Sequence, residues 1–154
     1  MTPRLPAQRP SSEPAILDAV VQLSFSVHDV LARVAVRYDV SVTQMRLLGI
    51  LRDREPAMSD LREHLALEKS SVSGLIDRAE RRGLVARTTG HPDGRMVHVR
   101  LTADGADLAT RFAAEVYAEL ETLLAPLPDL DQRRLSELAR AILAAQPSPF
   151  AHQR

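Results

Sequence analysis

The polar residues most able to do chemistry in this chain lie in the segment KSSVSGLIDRAERRG, which runs from Lys69 to Gly83. Its serine hydroxyls come first and its arginines follow. A helix with this order brings small hydroxyls and backbone N–H groups to its N-terminus, where they can contact phosphates. An arginine further along can donate two hydrogen bonds to a guanine edge. These residue types suggest DNA binding in the major groove, and an ordinary solvated helix face is the alternative.

An apolar stripe in the same segment predicts the helix that would carry these groups. Val72, Leu75, Ile76 and Ala79 recur at i, i+3, i+4 and i+7, which is the repeat of a helix with one buried face. The other face carries the residues that we expect to contact DNA, and these are Lys69, Ser70, Ser71, Ser73, Gly74 and Arg78.

A basic hairpin is predicted directly after this helix. Apolar and polar residues alternate over residues 84–88 and 96–101, which is the period of paired strands. The HPDGR segment between them, residues 91–95, has the residue types of a turn. Arg95 could enter a narrow minor groove from the tip of this wing, and Asp93 could hold its guanidinium. Alternatively, Asp93 and Arg95 only stabilise the turn.

Composition narrows the remaining classes of function. The 154 residues suit one domain or one protomer of an oligomer, and with 3% aromatic residues and no Trp the core must consist of Leu, Val, Ile and Ala. The chain has no cysteine, which excludes disulfides and thiol nucleophiles. We find no apolar run near the roughly 20 residues of a membrane span. We therefore expect a cytoplasmic protein without membrane contact.

The net charge of the chain is zero, but the charges are unevenly distributed. Residues 69–100 contain seven basic residues and three acidic ones, whereas residues 102–145 contain four basic and eight acidic ones. The affinity for DNA depends on the local phosphate contacts and not on the sum over the chain. Overall neutrality is therefore compatible with DNA binding.

Helical periodicity continues on both sides of the predicted lobe. Residues 15–40 predict one long amphipathic helix, and Thr102 is the expected N-cap of another, with Asp104 in its first turn. A final helix is expected from about Leu130 to Ala145. Residues 1–14, which contain four prolines, predict a flexible arm, and residues 147–154 predict a tail.

Two short helices complete a winged helix-turn-helix lobe over residues 41–101. Ser41 and Gln44 form a capping-box pattern at the start of the first, and Ser59 is expected to cap the second. The predicted fold is therefore mainly α with a small β-hairpin wing.

We expect residues 15–40 and 102–146 to form a helical dimerisation region, because their apolar stripes are too extensive for one thin subunit to cover. A symmetric dimer would place two reading helices about 34 Å apart, or one DNA turn. An internally packed monomeric bundle is the alternative.

The order of several separate motifs resembles the MarR family of bacterial transcriptional regulators. The resemblance covers roughly residues 15–145, and its most specific pieces are residues 41–44, 69–73, 77–85, 93–95 and 101–105. It implies a winged helix-turn-helix homodimer, often ligand-responsive, that binds double-stranded DNA. It also implies that Ser70, Ser71 and Ser73 line the groove-facing side of the recognition helix, with Arg95 at the wing tip.

This sequence departs from the family pattern at two positions. Gly74 stands where many relatives carry an arginine or another polar reader, so one base contact is expected to be missing. Specificity would then depend more on DNA shape. Arg62 stands where a small residue usually lets the helix-turn-helix close, and we expect it to point to phosphate instead.

The resemblance also implies an effector crevice between the dimer helices and the winged lobe. His28, Tyr38 and Arg46 are polar groups on otherwise apolar elements there, and they could orient an aromatic or phenolic ligand. The alternative is that these residues are interfacial or simply exposed, and both interpretations stay open.

No catalytic motif and no metal-ligand pair among the five scattered histidines is recognisable, so we expect no enzyme, cofactor or metal. The sequence favours a ligand-responsive repressor that binds a pseudo-palindromic operator. The alternative is a dimer on the same scaffold that acts mainly as a ligand- or protein-binding module.

Overall fold

The computed structural model describes residues 13–89 and 96–145. This part of the chain is mainly helical with one antiparallel hairpin, which confirms the predicted fold class. The elements in chain order are α1 (Glu13–Arg37), α2 (Val42–Leu51), α3 (Met58–Leu65), α4 (Lys69–Arg81), β1 (Val85–Thr88), β2 (His98–Leu101), α5 (Ala103–Leu124) and α6 (Asp129–Ala144).

The lobe formed by α2, α3, α4 and the hairpin packs around one aliphatic core. The four residues of the predicted stripe in α4 are all buried, and they belong to the same cluster as Leu47, Leu48, Leu61, Val85 and Val99. In the hairpin, Val85 pairs with Leu101 and Thr88 pairs with His98. Burial of this apolar surface supplies the main favourable free energy of folding. The core therefore fixes which face of α4 points outward.

The predicted N-cap of α2 is correct and the predicted N-cap of α3 is not. The capping box of α2 is confirmed, because Ser41 Oγ accepts from the Gln44 N–H at 3.0 Å and Gln44 Oε1 accepts from the Ser41 N–H at 2.9 Å. The prediction that Ser59 caps α3 is wrong, since the N-cap is Ala57 and it makes no side-chain cap. The helix begins earlier than expected, at Met58, whose N–H has no acceptor within the helix and donates to the Val97 carbonyl next to β2.

The first turn of α5 packs against the segment that joins α4 to β1. The Thr102 hydroxyl accepts from the Gly105 N–H at 3.0 Å and donates to the Gly83 carbonyl, while the Thr102 N–H donates to the Leu84 carbonyl at 3.1 Å. A Cβ atom on Gly105 would lie 1.9 Å from the Leu84 carbonyl oxygen. Only glycine therefore allows this approach of the two backbones.

The long helices α1 and α5 lie against each other beside the lobe. Val30, Val34 and Ala35 of α1 are buried, as are Phe112 and Val116 of α5. Ion pairs join the same two helices at their surface, between Arg33 and Glu119 at 3.0 Å and from Arg37 to both Glu115 and Glu119. Exposed pairs of this kind contribute little, so the apolar contacts are the main attachment.

Large apolar side chains remain uncovered on α1 and α6. Ile16 and Leu17 are 63% and 65% exposed, Leu143 is 70% exposed, and α6 has no buried residue. By length and composition alone, Ala15–Arg37 could cross a membrane, with a mean hydropathy of 1.4. The expectation that no segment reaches this length was therefore wrong. Uncharged polar residues such as Gln22 and Ser24 interrupt the apolar run without lowering its mean hydropathy enough.

We expect Gly105→Ala to lower the free energy of unfolding by about 1–3 kcal/mol, because its Cβ must displace the backbone of Leu84. Gly49→Ala is the matched control. A Cβ on Gly49 meets nothing within 4 Å, and alanine in an exposed helix should raise stability by about 0.5–1 kcal/mol. Urea unfolding of both variants measures the difference. Equal effects of the two substitutions would contradict the close approach.

Candidate nucleic-acid interface

The predicted DNA contacts of α4 lie on the side of the helix that faces away from the core. Lys69, Ser70, Ser71 and Arg78 are exposed, and Ser73 and Gly74 are half-buried. This arrangement follows from the buried stripe, since residues three and four apart share one side of a helix. The surface formed by Lys69, Ser70, Ser71, Ser73, Gly74 and Arg78 is called the α4 surface below.

Two grooves border α4 and divide the α4 surface between them. The first, of about 340 Å³, lies between the start of α2 and α4, and its lining residues are Ser41, Thr43, Leu67, Ser70, Ser71, Gly74, Leu75 and Arg78. The second, of about 260 Å³, lies between α3 and α4, and its lining residues are Met58, Ser59, Arg62, Lys69, Val72 and Ser73.

The grooves bring two further groups of polar residues to the α4 surface. Arg62 lies beside Lys69 and Ser73, as a phosphate contact would require. Ser41 and Thr43 line the first groove, although sequence reasoning did not include them among the contacts. Their signal was available, because the capping-box pattern marks Ser41 and Thr43 as the start of a helix in the same lobe.

Not all the basic residues of this region are free to bind DNA. The Arg87 guanidinium donates to the carboxylates of Asp77 and Glu80, and the hydrogen bond with Asp77 raises its pKa above the ordinary value. Arg82 donates to the Asp39 carbonyl. Arg87 therefore ties β1 to α4, and Arg82 ties the end of α4 to the segment after α1.

The two wing residues that the sequence singled out, Asp93 and Arg95, lie outside the described residues. Their DNA contacts and their mutual pairing stay predictions. The described strands carry the base of the wing, where Met96 and Arg100 are exposed. The hairpin follows directly on the end of α4, and Arg87 of β1 joins it to Asp77 and Glu80 of that helix.

An apolar cavity of about 360 Å³ lies between α1, α2 and α5, where the effector crevice was expected. Its lining residues are Leu31, Val42, Met45, Arg46, Gly49, Arg52, Phe112, Ala113, Val116 and Tyr117. Of the three predicted effector residues, only Arg46 lines it. Arg52 also lines it, and a hydrogen bond with Tyr117 raises the Arg52 pKa. Sequence reasoning missed Arg52 because it follows the last residue of α2.

The other two predicted effector residues lie elsewhere. His28 is exposed on α1 and does not line the cavity. The Tyr38 hydroxyl donates to Glu115 at 2.5 Å, and this hydrogen bond raises the pKa of Tyr38. Its ring packs edge-on against Phe112, with the centroids 6.5 Å apart. Tyr38 therefore joins α1 to α5 behind the cavity wall.

Arg46 connects the cavity with the turn that precedes α4. Its Nη2 donates to the His64 carbonyl at 2.7 Å, in the last turn of α3. Ala66 then takes a left-handed conformation with φ of 51°, and α4 begins at Lys69. A change in the position of the Arg46 guanidinium would therefore reach this turn directly.

Within residues 13–89 and 96–145, no group of three or more His, Cys, Asp or Glu side chains could hold a metal ion. The polar groups that the fold does bring together are hydroxyls, guanidinium groups and helix N-termini on the α4 surface and its two grooves. Groups of these types are the ones that contact phosphates and base edges in protein–DNA complexes.

A helix-turn-helix formed by α3 and α4 and followed by an antiparallel hairpin defines a winged helix-turn-helix protein. Residues 38–96 match the model of the MarR family of transcriptional regulators, so this part of the chain is similar to that family. This confirms the resemblance drawn from the motifs. A relative from Bacillus subtilis, the HTH-type transcriptional regulator YfiV, is 29% identical over 111 residues, which are 69% of this chain and 69% of that protein.

Solved structures of similar fold support the same architecture. A MarR-family transcriptional regulator from Rhodococcus sp. RHA1 superposes with a TM-score of 0.73 at 20% identity, covering 87% of this chain and 96% of that one. NadR in complex with 4-hydroxyphenylacetate superposes with a TM-score of 0.70 at 21% identity, covering 92% of this chain and all of that one. At these identities the likeness establishes the fold.

The partly buried His64 is expected to make the stability of the lobe depend on pH. Burial is the main cause that lowers its pKa, and the charges of Arg54 and Arg46 act in the same direction. The folded state thus favours neutral His64. The contribution of neutral His64 to the free energy of unfolding should be fully present above the ordinary histidine pKa of about 6.5. It should be lost as the pH drops from there towards the lowered pKa of the folded state.

We expect the urea midpoint of the protein to decrease between pH 8 and pH 5.5, roughly the range where histidine titrates. His64→Asn removes the titrating group and should flatten this dependence. His28→Asn, at an exposed position, is the control that should keep it. The assignment fails if His64→Asn and the unaltered protein lose stability in parallel over this range.

Proposed function

We propose that this protein is a homodimeric repressor that binds a pseudo-palindromic DNA operator through the α4 surface and the wing. The observation that carries the proposal is the arrangement of α4. Its serines, Lys69 and Arg78 face outward together, while its apolar stripe is held by the core. Exposed N–H groups, hydroxyls and cations at a helix N-terminus suit a helix that enters the major groove end-first.

The uncovered apolar faces of α1 and α6 support pairing of two subunits. These faces comprise Ile16, Leu17, Val20, Val21 and Phe25 of α1 and Leu130, Leu138, Ile142 and Leu143 of α6. Soluble proteins rarely expose so many large apolar side chains on two helices unless a partner covers them. A two-fold axis through this surface would present one α4 to each half of an inverted repeat.

Repression would be steric, because a dimer on a promoter blocks access of polymerase, and the site of action would be the cytoplasm. A small molecule would release the DNA by favouring a different spacing of the two reading helices. The cavity between α1, α2 and α5 is the proposed effector site. Its apolar walls suit an aromatic ring, and Arg46 and Arg52 supply positive charge for an acid.

The bond from Arg46 to the His64 carbonyl offers a path for this response. A carboxylate in the cavity would compete with the carbonyl for the Arg46 guanidinium, because charged acceptors make the stronger hydrogen bond. NadR, a protein of the same fold, was solved with 4-hydroxyphenylacetate, which has such a ring and such an acid.

A second candidate is a winged-helix dimer that acts mainly as a ligand- or protein-binding module. The zero net charge, Gly74 in the middle of the α4 surface and the apolar cavity favour it. The two functions differ in whether the protein selects a DNA sequence.

Selection of fragments from genomic DNA separates the two functions. We expect the full chain to enrich an inverted repeat whose half-sites are about one helical turn apart, since each subunit carries one α4. Light scattering of the same preparation should give the mass of a dimer. Absence of any enriched sequence at low salt would favour the binding module, and a stable monomer would contradict the pairing of α1 and α6.

Arg95→Ala tests the wing. We expect weaker binding to the selected fragment and a salt dependence lowered by about one phosphate contact, because the variant releases fewer counterions. Arg134→Ala, which removes an exposed charge on α6, is the matched control and should leave both unchanged. The wing assignment would be wrong if Arg95→Ala and the control bound alike across a salt titration.

A further inference from the structure

Position 74 lies at the centre of the outward side of α4. The helix turns once in 3.6 residues, so positions 70, 74, 77 and 81 project opposite to the buried stripe. A side chain at position 74 would therefore be the first to meet the base pairs when α4 enters a groove. The residue there is glycine, which has no side chain to present.

The Arg78 side chain fills the space above Gly74. Its Nη1 atom lies 3.4 Å from the point that a Cβ on residue 74 would occupy. Arg78 follows Gly74 by one helical turn, and helical side chains lean towards the N-terminus of their helix. The guanidinium thus extends back from the flank of α4 to the centre of its outward side.

Nothing in the described part of the chain holds the Arg78 guanidinium in an ion pair. Arg87, by contrast, is held between the carboxylates of Asp77 and Glu80. Arg78 is exposed at the first groove, where Ser70, Ser71 and Thr43 add hydroxyl groups. The five donors of the guanidinium therefore remain available for an external acceptor.

We propose that Gly74 and Arg78 act as one specificity-determining unit, in which the glycine leaves the space and the arginine recognises a guanine in each half-site. The inference rests on the proposed function, since it requires α4 in the major groove. Guanine fits because its O6 and N7 accept two parallel hydrogen bonds from one guanidinium. The contact expected from the residue at position 74 is thus supplied from position 78.

In this arrangement the residue at position 74 must be small so that the Arg78 guanidinium has room. The glycine therefore does not cost the protein a base contact. A larger side chain at position 74 would occupy the space that the Arg78 guanidinium takes, and would move it away from the base. The half-buried position 74 has room for a Cβ atom, because apart from the backbone of α4 itself Arg78 Nη1 is the only atom that this Cβ would meet within 4 Å among the described residues.

The test uses fragment selection and competition binding with the full-length dimer. Wild type is compared with Arg78→Lys, Arg78→Ala, Gly74→Leu and the double variant Gly74→Leu/Arg78→Ala. We expect wild type to require one guanine in each half-site, and each variant to lose roughly 5- to 150-fold of its discrimination for that base.

Arg78→Lys keeps the charge but not the two-pronged geometry. The double variant should be no less selective than Arg78→Ala, because both changes remove the same contact.

Arg111→Ala is the control for charge, since it removes an exposed arginine of α5 and should keep the guanine preference. Circular dichroism confirms that each variant is folded.

Two results would overturn the proposal while leaving the regulator function intact. One is an unchanged base preference in Arg78→Ala. The other is that Arg78→Ala loses affinity for all sequences alike and that its affinity depends less on salt concentration. That result would identify a phosphate contact. If wild type enriches no sequence, the regulator function fails and this inference fails with it.

Discussion

The contact of the Gly105 backbone with the Leu84 carbonyl determines how the parts of this protein are arranged. It places the first turn of α5 on the corner where α4 ends and β1 begins, and Thr102 closes that corner with hydrogen bonds to Gly83 and Leu84. The end of α4, the start of β1 and the first turn of α5 therefore meet at one point. A shift of α5 cannot occur without a shift of the base of the wing.

Hydrogen bonds to backbone carbonyls also join α4 to the segment after α1 and join α2 to α3 within the lobe. Arg82 donates to the Asp39 carbonyl after α1, and Arg46 donates to the His64 carbonyl from the wall of the cavity. Both bonds end on backbone carbonyls next to an element of the helix-turn-helix. Packed interiors tend to move between discrete arrangements and not to deform smoothly. Arg46 therefore links the cavity wall to the turn between α3 and α4, although different helices form the cavity and the α4 surface.

The sequence was sufficient wherever a local pattern determines the structure. The stripe of α4, the capping box at Ser41 and the alternation in the hairpin are all encoded within a few residues, and each was confirmed. The failures depend on distant contacts. Ser59 could not be judged without knowing that Met58 pairs with Val97, and the neutralisation of Arg87 depends on the packing of β1 against α4. The direction of the Arg78 side chain over Gly74 also required atomic positions.

The apolar faces of α1 and α6 are separate from the α4 surface, and this separation has a genetic consequence for the proposed dimer. A chain altered only in α4 keeps its uncovered faces and can still associate with a normal chain. Each such mixed dimer contains one subunit that can bind DNA. It would therefore contact only one half-site of an inverted repeat. An impaired allele expressed beside an intact one would therefore interfere with it, and the interference would grow with the ratio of altered to normal chains.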